Sequence, residues 1–128
     1  MSDYGAIAKS LVSHYYGTFD NTNTRSTLTS LYRPESYLVW EGRPYQGPEN
    51  IMAALSKPEL SFVRTQVTAI DAVPTSNSGV LVVATGSLVI DNAYDRPLKF
   101  SSTFLLQPIP GQAGGYFIEG QIFRLVFD

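Results

Sequence analysis

Trp40 and Glu41 are the residues whose types and spacing most clearly suggest a binding site. The only tryptophan of the chain stands beside a carboxylate at the end of the segment 37–41. A large aromatic ring with an acid at its edge suits the capture of an apolar side chain flanked by a cation. The simpler interpretation is a core tryptophan next to a surface acid, and these residues alone leave both open.

Two further acids follow another apolar segment. Asp91 comes directly after the apolar run 88–90, and Asp95 stands four residues later. Acids at strand ends are usually part of turns. If the sheet brings this end beside Glu41, the acids form a negative rim around an apolar pocket.

The sequence offers no support for nucleophilic, metal or phosphate chemistry. It has no cysteine, and its one histidine, His14, falls on the polar side of the first predicted helix. No group of histidines and carboxylates has metal-ligand spacing, and no glycine-rich phosphate-binding motif is present. We therefore predict no catalytic residue, no metal and no cofactor.

The composition predicts a single soluble intracellular domain over residues 1–128. Hydrophobic residues make up 44% and charged residues 16% of the chain, which is typical of a globular protein. The formal net charge is −2, and the basic residues are scattered, so we expect no nucleic-acid partner. The longest wholly apolar run, 80–84, is too short for membrane insertion, and Asp3 does not suit a signal peptide.

Three helices are predicted before residue 60. Apolar residues at helical spacing from Tyr4 to Phe19 indicate a helix, with Ser2 as its N-cap. Thr24 can cap a short second helix that ends before Pro34, and a third helix begins at residue 48. The segment 37–41 reads as a strand followed by a turn at 42–44.

From residue 60 onward, apolar residues recur at about every second position, which predicts strands. Their expected ranges are 61–73, 80–91, 97–107 and 115–127. The apolar set of the last strand changes parity near Gly120, which indicates a bulge or sharp bend. Helices followed by four strands with short connections predict an α+β domain with an antiparallel sheet.

The predicted strand 80–91 has apolar residues at both even and odd positions, which face opposite sides of a sheet. Leu81 and Val83 alternate with Val80 and Val82. A strand that is apolar on both sides is usually covered on both sides. The helices can cover one face of the sheet, so we infer a homodimer that covers the other. A local twist or a long loop over this face is the alternative.

The order and spacing of several short motifs resemble the nuclear transport factor 2 family over essentially the whole chain. They are His14-Tyr15-Tyr16, Phe19-Asp20, Leu31-Tyr32-Arg33, Glu35-Ser36, Trp40-Glu41-Gly42, Gln46-Gly47 and Phe123-Arg124-Leu125. The resemblance implies a cone-shaped fold in which N-terminal helices pack on a bent antiparallel β-sheet. Enzymes and binding proteins share this fold, so the fold alone does not settle the function.

The resemblance implies a non-enzymatic, homodimeric carrier that imports the GDP-bound small GTPase Ran into the nucleus. Its location would be the cytoplasm and nucleus, concentrated at the nuclear pore. An aromatic side chain of Ran is expected to enter an apolar cavity, while neighbouring basic residues pair with rim acids. The cavity lining implied by position is Trp40, Val63, Leu98 and Ile122, and the implied rim acids are Glu41 and Asp91.

Three positions bear on the details of this resemblance. The usual second acid, two residues after Asp91, is Ala93 here, and Asp95 is the candidate replacement because this loop is longer than in typical relatives. Thr65 stands where relatives often carry a histidine. The family also binds Phe-x-Phe-Gly repeats of nucleoporins through an aromatic near the N-terminus, where this chain has Tyr4; simple helix packing is the alternative role for Tyr4.

Two other classes of function stay open on this fold. An enzyme of the ketosteroid isomerase type needs a carboxylate deep in an apolar cavity and hydroxyl donors for the oxyanion. Tyr15, Tyr16 or Tyr32 can supply a hydroxyl, but no acid lies within an apolar stripe. The other class is an obligate heterodimer subunit, such as the small partner of an RNA export receptor or a scaffold module.

Overall fold

The computed structural model describes residues 3–91 and 94–126. Its first half contains helix α1 (Tyr4–Phe19), a 3-10 helix (Arg25–Leu31), strands β1 (Tyr32–Trp40) and β2 (Arg43–Gln46), helix α2 (Pro48–Leu55) and a short 3-10 helix (Pro58–Leu60). Four longer strands follow, with a 3-10 turn at Ser76–Ser78 after the first of them: β3 (Val63–Pro74), β4 (Val80–Ile90), β5 (Leu98–Pro108) and β6 (Tyr116–Val126).

Helix α1 has the bounds that its apolar spacing predicts. Its buried stripe consists of Ala8, Val12, Tyr15, Tyr16 and Phe19. The expected N-cap, Ser2, lies outside the described residues. Asp3 caps the helix instead, because its Oδ1 accepts a hydrogen bond of 3.1 Å from the backbone N–H of Ala6.

The strands form one six-stranded sheet in the order β2-β1-β6-β5-β4-β3. The α+β class is confirmed, with one difference from the expected antiparallel sheet: β1 and β6 are parallel. The helices pack on the inner face of the sheet, where Phe100, Phe104 and Leu106 of β5 are fully or almost fully buried. The pairing of β1 with β6 could not be predicted from the sequence. The apolar pattern of a strand shows which of its faces is buried, but not which distant strand lies beside it.

The first connection differs from the expected short helix. The 3-10 helix ends at Leu31, so Tyr32 begins β1 rather than ending a helix. Pro34 is tolerated in β1 because the pairing with β6 is interrupted between Tyr32 and Tyr37, where no ladder N–H is needed. The predicted turn at 42–44 is a tighter hairpin, since β2 already begins at Arg43.

Two irregularities bend the sheet. The ladder between β3 and β4 shifts by one residue at Thr68, and the ladder between β5 and β6 shifts at Glu119. The second shift confirms the bulge expected near Gly120. An extra residue bends its strand and increases the local twist, so the sheet curves around the helices.

The outer face of the sheet carries exposed apolar side chains in the single chain. In β4, Val80, Val82 and Ala84 are buried toward the helices, whereas Val83 on the opposite side is 37% exposed. Ile122 of β6 on this face is 49% exposed. The prediction that β4 is apolar on both sides is therefore confirmed, with one side left uncovered by this chain.

Candidate functional site

An apolar cavity of about 50 Å³ lies between the helices and one end of the sheet. Its walls come from α1, the short 3-10 helix and four strands, and its lining residues are Tyr16, Phe19, Trp40, Leu60, Val63, Leu88, Ile90, Phe123 and Leu125. A groove of about 250 Å³ adjoins it and shares Trp40 and Leu60 as a common wall. Four charged side chains also line this groove: Glu41, Arg43, Lys57 and Glu59.

Trp40 forms the wall between the cavity and the groove. Its ring stacks on Phe123 of β6, with centroids 4.0 Å apart and planes 10° from parallel. The parallel pairing of β1 and β6 places the two residues opposite each other. Trp40 is half-buried and lines both the cavity and the groove.

Glu41 turns over the rim because the strand ends at Trp40. Glu41 and Gly42 have φ values of 51° and 85°, and a two-residue type I′ hairpin requires positive φ at both central positions. The Glu41 carboxylate accepts a hydrogen bond of 2.5 Å from the Leu125 backbone N–H. Its own N–H donates to the Phe123 carbonyl at 3.0 Å. One carboxylate oxygen of this half-buried rim acid is therefore tied to β6.

Asp91 follows the cavity residue Ile90 on the other side of the cavity. It is exposed, has a φ of 56°, and donates its backbone N–H to the Phe62 carbonyl at 3.2 Å. Asp95 is also exposed, in the turn before β5. Ala93, the place of the missing second acid, lies outside the described residues.

The remaining predicted cavity residues divide into three cases. Val63 lines the cavity. Leu98 lies on the same face of the sheet and pairs with the lining residue Leu88, but it is not itself part of the lining. Ile122 points to the opposite face, so its placement in the cavity wall is wrong: the bulge at Glu119 shifts the parity of β6 before residue 122.

Asp20 is a half-buried acid that the sequence marked only as part of the Phe19-Asp20 motif, without a role of its own. Its Oδ2 accepts from the Thr65 backbone N–H at 2.6 Å, and its Oδ1 accepts from the Thr65 hydroxyl at 2.8 Å. Burial raises the pKa of Asp20, while the bonds from Thr65 and the charges of Arg64 and Arg25 oppose that rise. Thr65 therefore anchors the end of α1 to β3 and is not part of the cavity lining.

Arg25 is a buried cation behind the cavity. Its guanidinium donates to the carbonyls of Phe19 at 2.6 Å, Leu55 at 3.2 Å and Leu60 at 2.7 Å. Its Cζ lies 4.2 Å from the centroid of the Phe19 ring. Two of these partners, Phe19 and Leu60, line the cavity, so Arg25 fixes part of the cavity wall. Nothing in its position in the sequence distinguished it from a surface arginine.

The buried hydroxyl groups bond to one another. Tyr15, Tyr32 and Gln121 form a closed ring of three hydrogen bonds of 2.6 to 3.2 Å, and the hydroxyls of Tyr16 and Ser102 pair. Burial raises the pKa of all three tyrosines. No carboxylate is among the described residues that line the cavity.

Tyr4 lies in the first turn of α1, half-buried, and packs against the core.

Within residues 3–91 and 94–126, no group of three or more metal-ligating side chains lies together. In the same ranges, no helix has the length and hydropathy needed to cross a membrane.

A helix-covered, open, mixed six-stranded sheet with an apolar cavity at one end is the architecture of a cone-fold domain. The family model described as "Nuclear transport factor 2 (NTF2) domain" matches residues 7–125. Nuclear transport factor 2 of Davidiella tassiana is 38% identical over 128 residues, covering 99% of this chain and 98% of that protein. Nuclear transport factor 2 of Schizosaccharomyces pombe is 36% identical over 126 residues and covers 98% of each chain.

A solved structure of nuclear transport factor 2 from Cryptosporidium parvum agrees with this fold. It has a TM-score of 0.86 at 37% identity and covers 96% of this chain and 94% of that chain. The chain belongs to the nuclear transport factor 2 family. The expected family is confirmed, and the relatives that carry this name support a role in nuclear transport.

Proposed function

We propose that this protein is a non-enzymatic carrier that binds GDP-bound Ran and brings it into the nucleus. The observation that carries the proposal is the apolar cavity beside Trp40, flanked by the acids Glu41 and Asp91. An aromatic side chain of Ran enters the cavity, and basic residues next to it pair with the two acids.

The backbone at both acids supports this assignment. Glu41 and Asp91 have positive φ, which costs energy in residues other than glycine and often marks functional sites. Strand alternation alone would direct Glu41 to the face opposite Trp40. The strained backbone instead brings a carboxylate to the edge of the groove that Trp40 lines.

The size of the cavity implies that its walls move when a ring binds. An enclosed cavity of about 150 Å³ holds benzene, whereas this one measures about 50 Å³. The adjoining groove supplies further room on the other side of Trp40 and Leu60. We therefore propose that Trp40 and Leu60 shift toward the groove as the aromatic side chain enters.

The assembly that we propose is a homodimer formed through the outer face of the sheet. Leu81 and Leu105 are half-buried there, and Val83, Ile122 and Val126 are 37% to 49% exposed. Burial of such a face against a second copy would remove apolar area from water. An obligate heterodimer subunit, by contrast, would not form a stable assembly alone, so light scattering on the purified chain separates the two.

Nucleoporin repeats are the second proposed partner, with Tyr4 as the contact residue. Tyr4 packs against the core but is only half-buried. Contacts of this kind are weak singly and act through several sites per carrier. The carrier would then move between cytoplasm and nucleus through the pore.

Calorimetry with Ran loaded with GDP or GTP tests the main proposal. We expect binding only to the GDP form, and a loss of at least about tenfold in affinity for Trp40→Ala, because a large apolar contact at the cavity is removed. Glu35→Gln is the control, since it neutralises an exposed acid of β1 outside the groove. Equal affinity of Trp40→Ala and wild type would show that Ran does not use this cavity.

A further inference from the structure

The groove beside the cavity carries a set of hydrogen-bond donors that the proposed contacts with Ran do not involve. Three of its lining residues are Arg43, Tyr45 and Lys57. In the ladder between β1 and β2, Arg43 lies opposite Trp40 and Tyr45 lies opposite Leu38, and residues paired in this way share one face of the sheet. Because Leu38 is fully buried on the inner face, this face is the one that carries the cavity. We call Arg43, Tyr45 and Lys57 the donor cluster.

Lys57 is held against the ring of Tyr45. Its Nζ lies 5.6 Å from the ring centroid and donates a hydrogen bond of 3.2 Å to the Tyr45 hydroxyl. Both side chains are half-buried, and Tyr45 packs against the core, so the position of the ammonium is fixed. The hydroxyl accepts from Lys57, which leaves its own proton free to donate, and the ammonium keeps further N–H donors. The pair can therefore donate to one acceptor in the groove.

The two acids of the groove are placed differently from the donor cluster. One oxygen of Glu41 already accepts the Leu125 N–H, and the proposed function uses Glu41 for a base of Ran. Glu59 is exposed on the short 3-10 helix, where water screens its charge. A carboxylate is the group that accepts from an ammonium, a guanidinium and a hydroxyl together, and such charge-assisted bonds are the strong ones. The donor cluster therefore favours an acid as its ligand.

We propose that the donor cluster binds the carboxylate of an Asp or Glu side chain of Ran, next to the aromatic residue that enters the cavity. This inference rests on the proposed function and adds an acidic contact to it. The groove and the cavity share Trp40 and Leu60 as a wall, so a side chain in the cavity brings its neighbours in the chain over the groove. Lys57 and Tyr45 donate to the carboxylate, and the exposed Arg43 adds a second cation.

Calorimetry of GDP-loaded Ran with variants of Lys57 tests this contact. We expect Lys57→Gln to weaken binding about tenfold and Lys57→Glu to weaken it more, because like charges then meet where binding removes water. Lys57→Arg keeps a cation and should bind more tightly than Lys57→Gln. The control is Lys9→Gln, which removes the same charge at an exposed position of α1 and should bind like wild type. A thermal melt of each variant shows that the change is not unfolding.

A charge swap identifies the bound acid. Each Asp and Glu of Ran next to the inserted aromatic residue is replaced by lysine in turn and measured against wild type and Lys57→Glu. One of these Ran variants should bind wild type more weakly but recover affinity for Lys57→Glu, because the two charges again have opposite signs. If Lys57→Glu melts below the assay temperature, Arg43→Glu takes its place in the swap, since Arg43 is exposed.

Three outcomes would overturn the inference. Unchanged affinity of Lys57→Gln and of Arg43→Gln, with a loss in Trp40→Ala, removes the donor cluster from the site and leaves the Ran proposal standing. No binding of Ran by wild type overturns both. A loss in Lys57→Gln that no charge swap on Ran recovers shows that Lys57 supports the shape of the groove and binds no carboxylate.

Discussion

The hairpin between β1 and β2 places Glu41 where it both bonds to β6 and lines the groove. Its carboxylate accepts the Leu125 N–H, so it helps to hold the end of β6 against the end of β1. The side chain is only half-buried, and it also lines the groove beside Trp40. We therefore expect a substitution there to change both stability and the proposed Ran binding unless it keeps the hydrogen bond.

Substitution of Glu41 by Gln and by Lys separates these roles. Glu41→Gln keeps an acceptor for Leu125, so we expect the free energy of unfolding to change by no more than about 0.5 kcal/mol, while Ran affinity falls about 30-fold or more. Glu41→Lys also loses the acceptor and should lower the free energy of unfolding by about 1–2 kcal/mol. Urea denaturation and calorimetry measure both, and equal stability of the two variants would show that the Leu125 bond contributes nothing.

Asp20 makes stability depend on pH. Burial raises the pKa of Asp20, so the folded protein binds this proton more tightly than the unfolded chain, whose aspartate pKa is about 4. The contribution of Asp20 to the free energy of unfolding is therefore largest below about pH 4, where the side chain is protonated in both states. This contribution declines as the pH rises through the raised pKa of Asp20 in the folded protein.

Asp20→Asn should remove this decline. The difference in unfolding free energy between wild type and variant is measured by urea denaturation at several pH values from about 3.5 to 7. We expect wild type to lose stability relative to Asp20→Asn as pH increases. A difference that is constant over this range, or that changes in the opposite direction, contradicts the raised pKa.

At the scale of elements, three helix ends meet at one side chain. The carbonyls that Arg25 binds belong to Phe19, Leu55 and Leu60, which end α1, α2 and the short 3-10 helix. Helix C-termini carry unpaired carbonyls and a partial negative charge. A single guanidinium therefore satisfies acceptors from three elements and fixes their relative positions around the cavity.

Arg25→Met should lower the free energy of unfolding by about 3 kcal/mol or more, because buried carbonyls lose their donor. Arg25→Lys keeps the charge but not the fork of donors, so an intermediate loss is expected. Urea denaturation measures both variants. The contrary result is an Arg25→Met protein as stable as wild type, and Arg33→Met, at a half-buried position on the start of β1, is the matched control.

At the scale of the whole molecule, the sheet separates two surfaces. Its inner face and the helices enclose the cavity, and its outer face presents apolar side chains such as Val83 and Ile122 to solvent. Binding of Ran and self-association would therefore use opposite sides of one layer. A variant of the outer face can change assembly without touching the cavity lining.

Val83→Asp tests the homodimer. A charge without a partner in a buried apolar interface should cost several kcal/mol of association, or more than about 100-fold in the dimer dissociation constant. Light scattering at micromolar concentration should show a dimer for wild type and a monomer for Val83→Asp. Ser13→Asp, on the exposed side of α1, should stay dimeric. A monomeric wild type, or a dimeric Val83→Asp, contradicts the proposed interface.

The sequence by itself determined the elements whose signal is local. The helical spacing from Tyr4 to Phe19 defined α1 because one buried stripe spans its whole length. The alternation in β5 identified its buried face. The aromatic and acidic pair Trp40 and Glu41 marked one side of the cavity, since both residue types stand together at a strand end.

Only the tertiary structure decided what depends on pairing between distant segments. The face of Ile122 follows from a bulge at Glu119, and a shift of one residue reverses every side chain beyond it. Gln121 concealed that shift because a polar residue occupies a core position, where Tyr15 and Tyr32 satisfy its hydrogen bonds. The bond from Glu41 to β6 and the cluster around Arg25 likewise join residues far apart in the chain, so no local pattern could have predicted them.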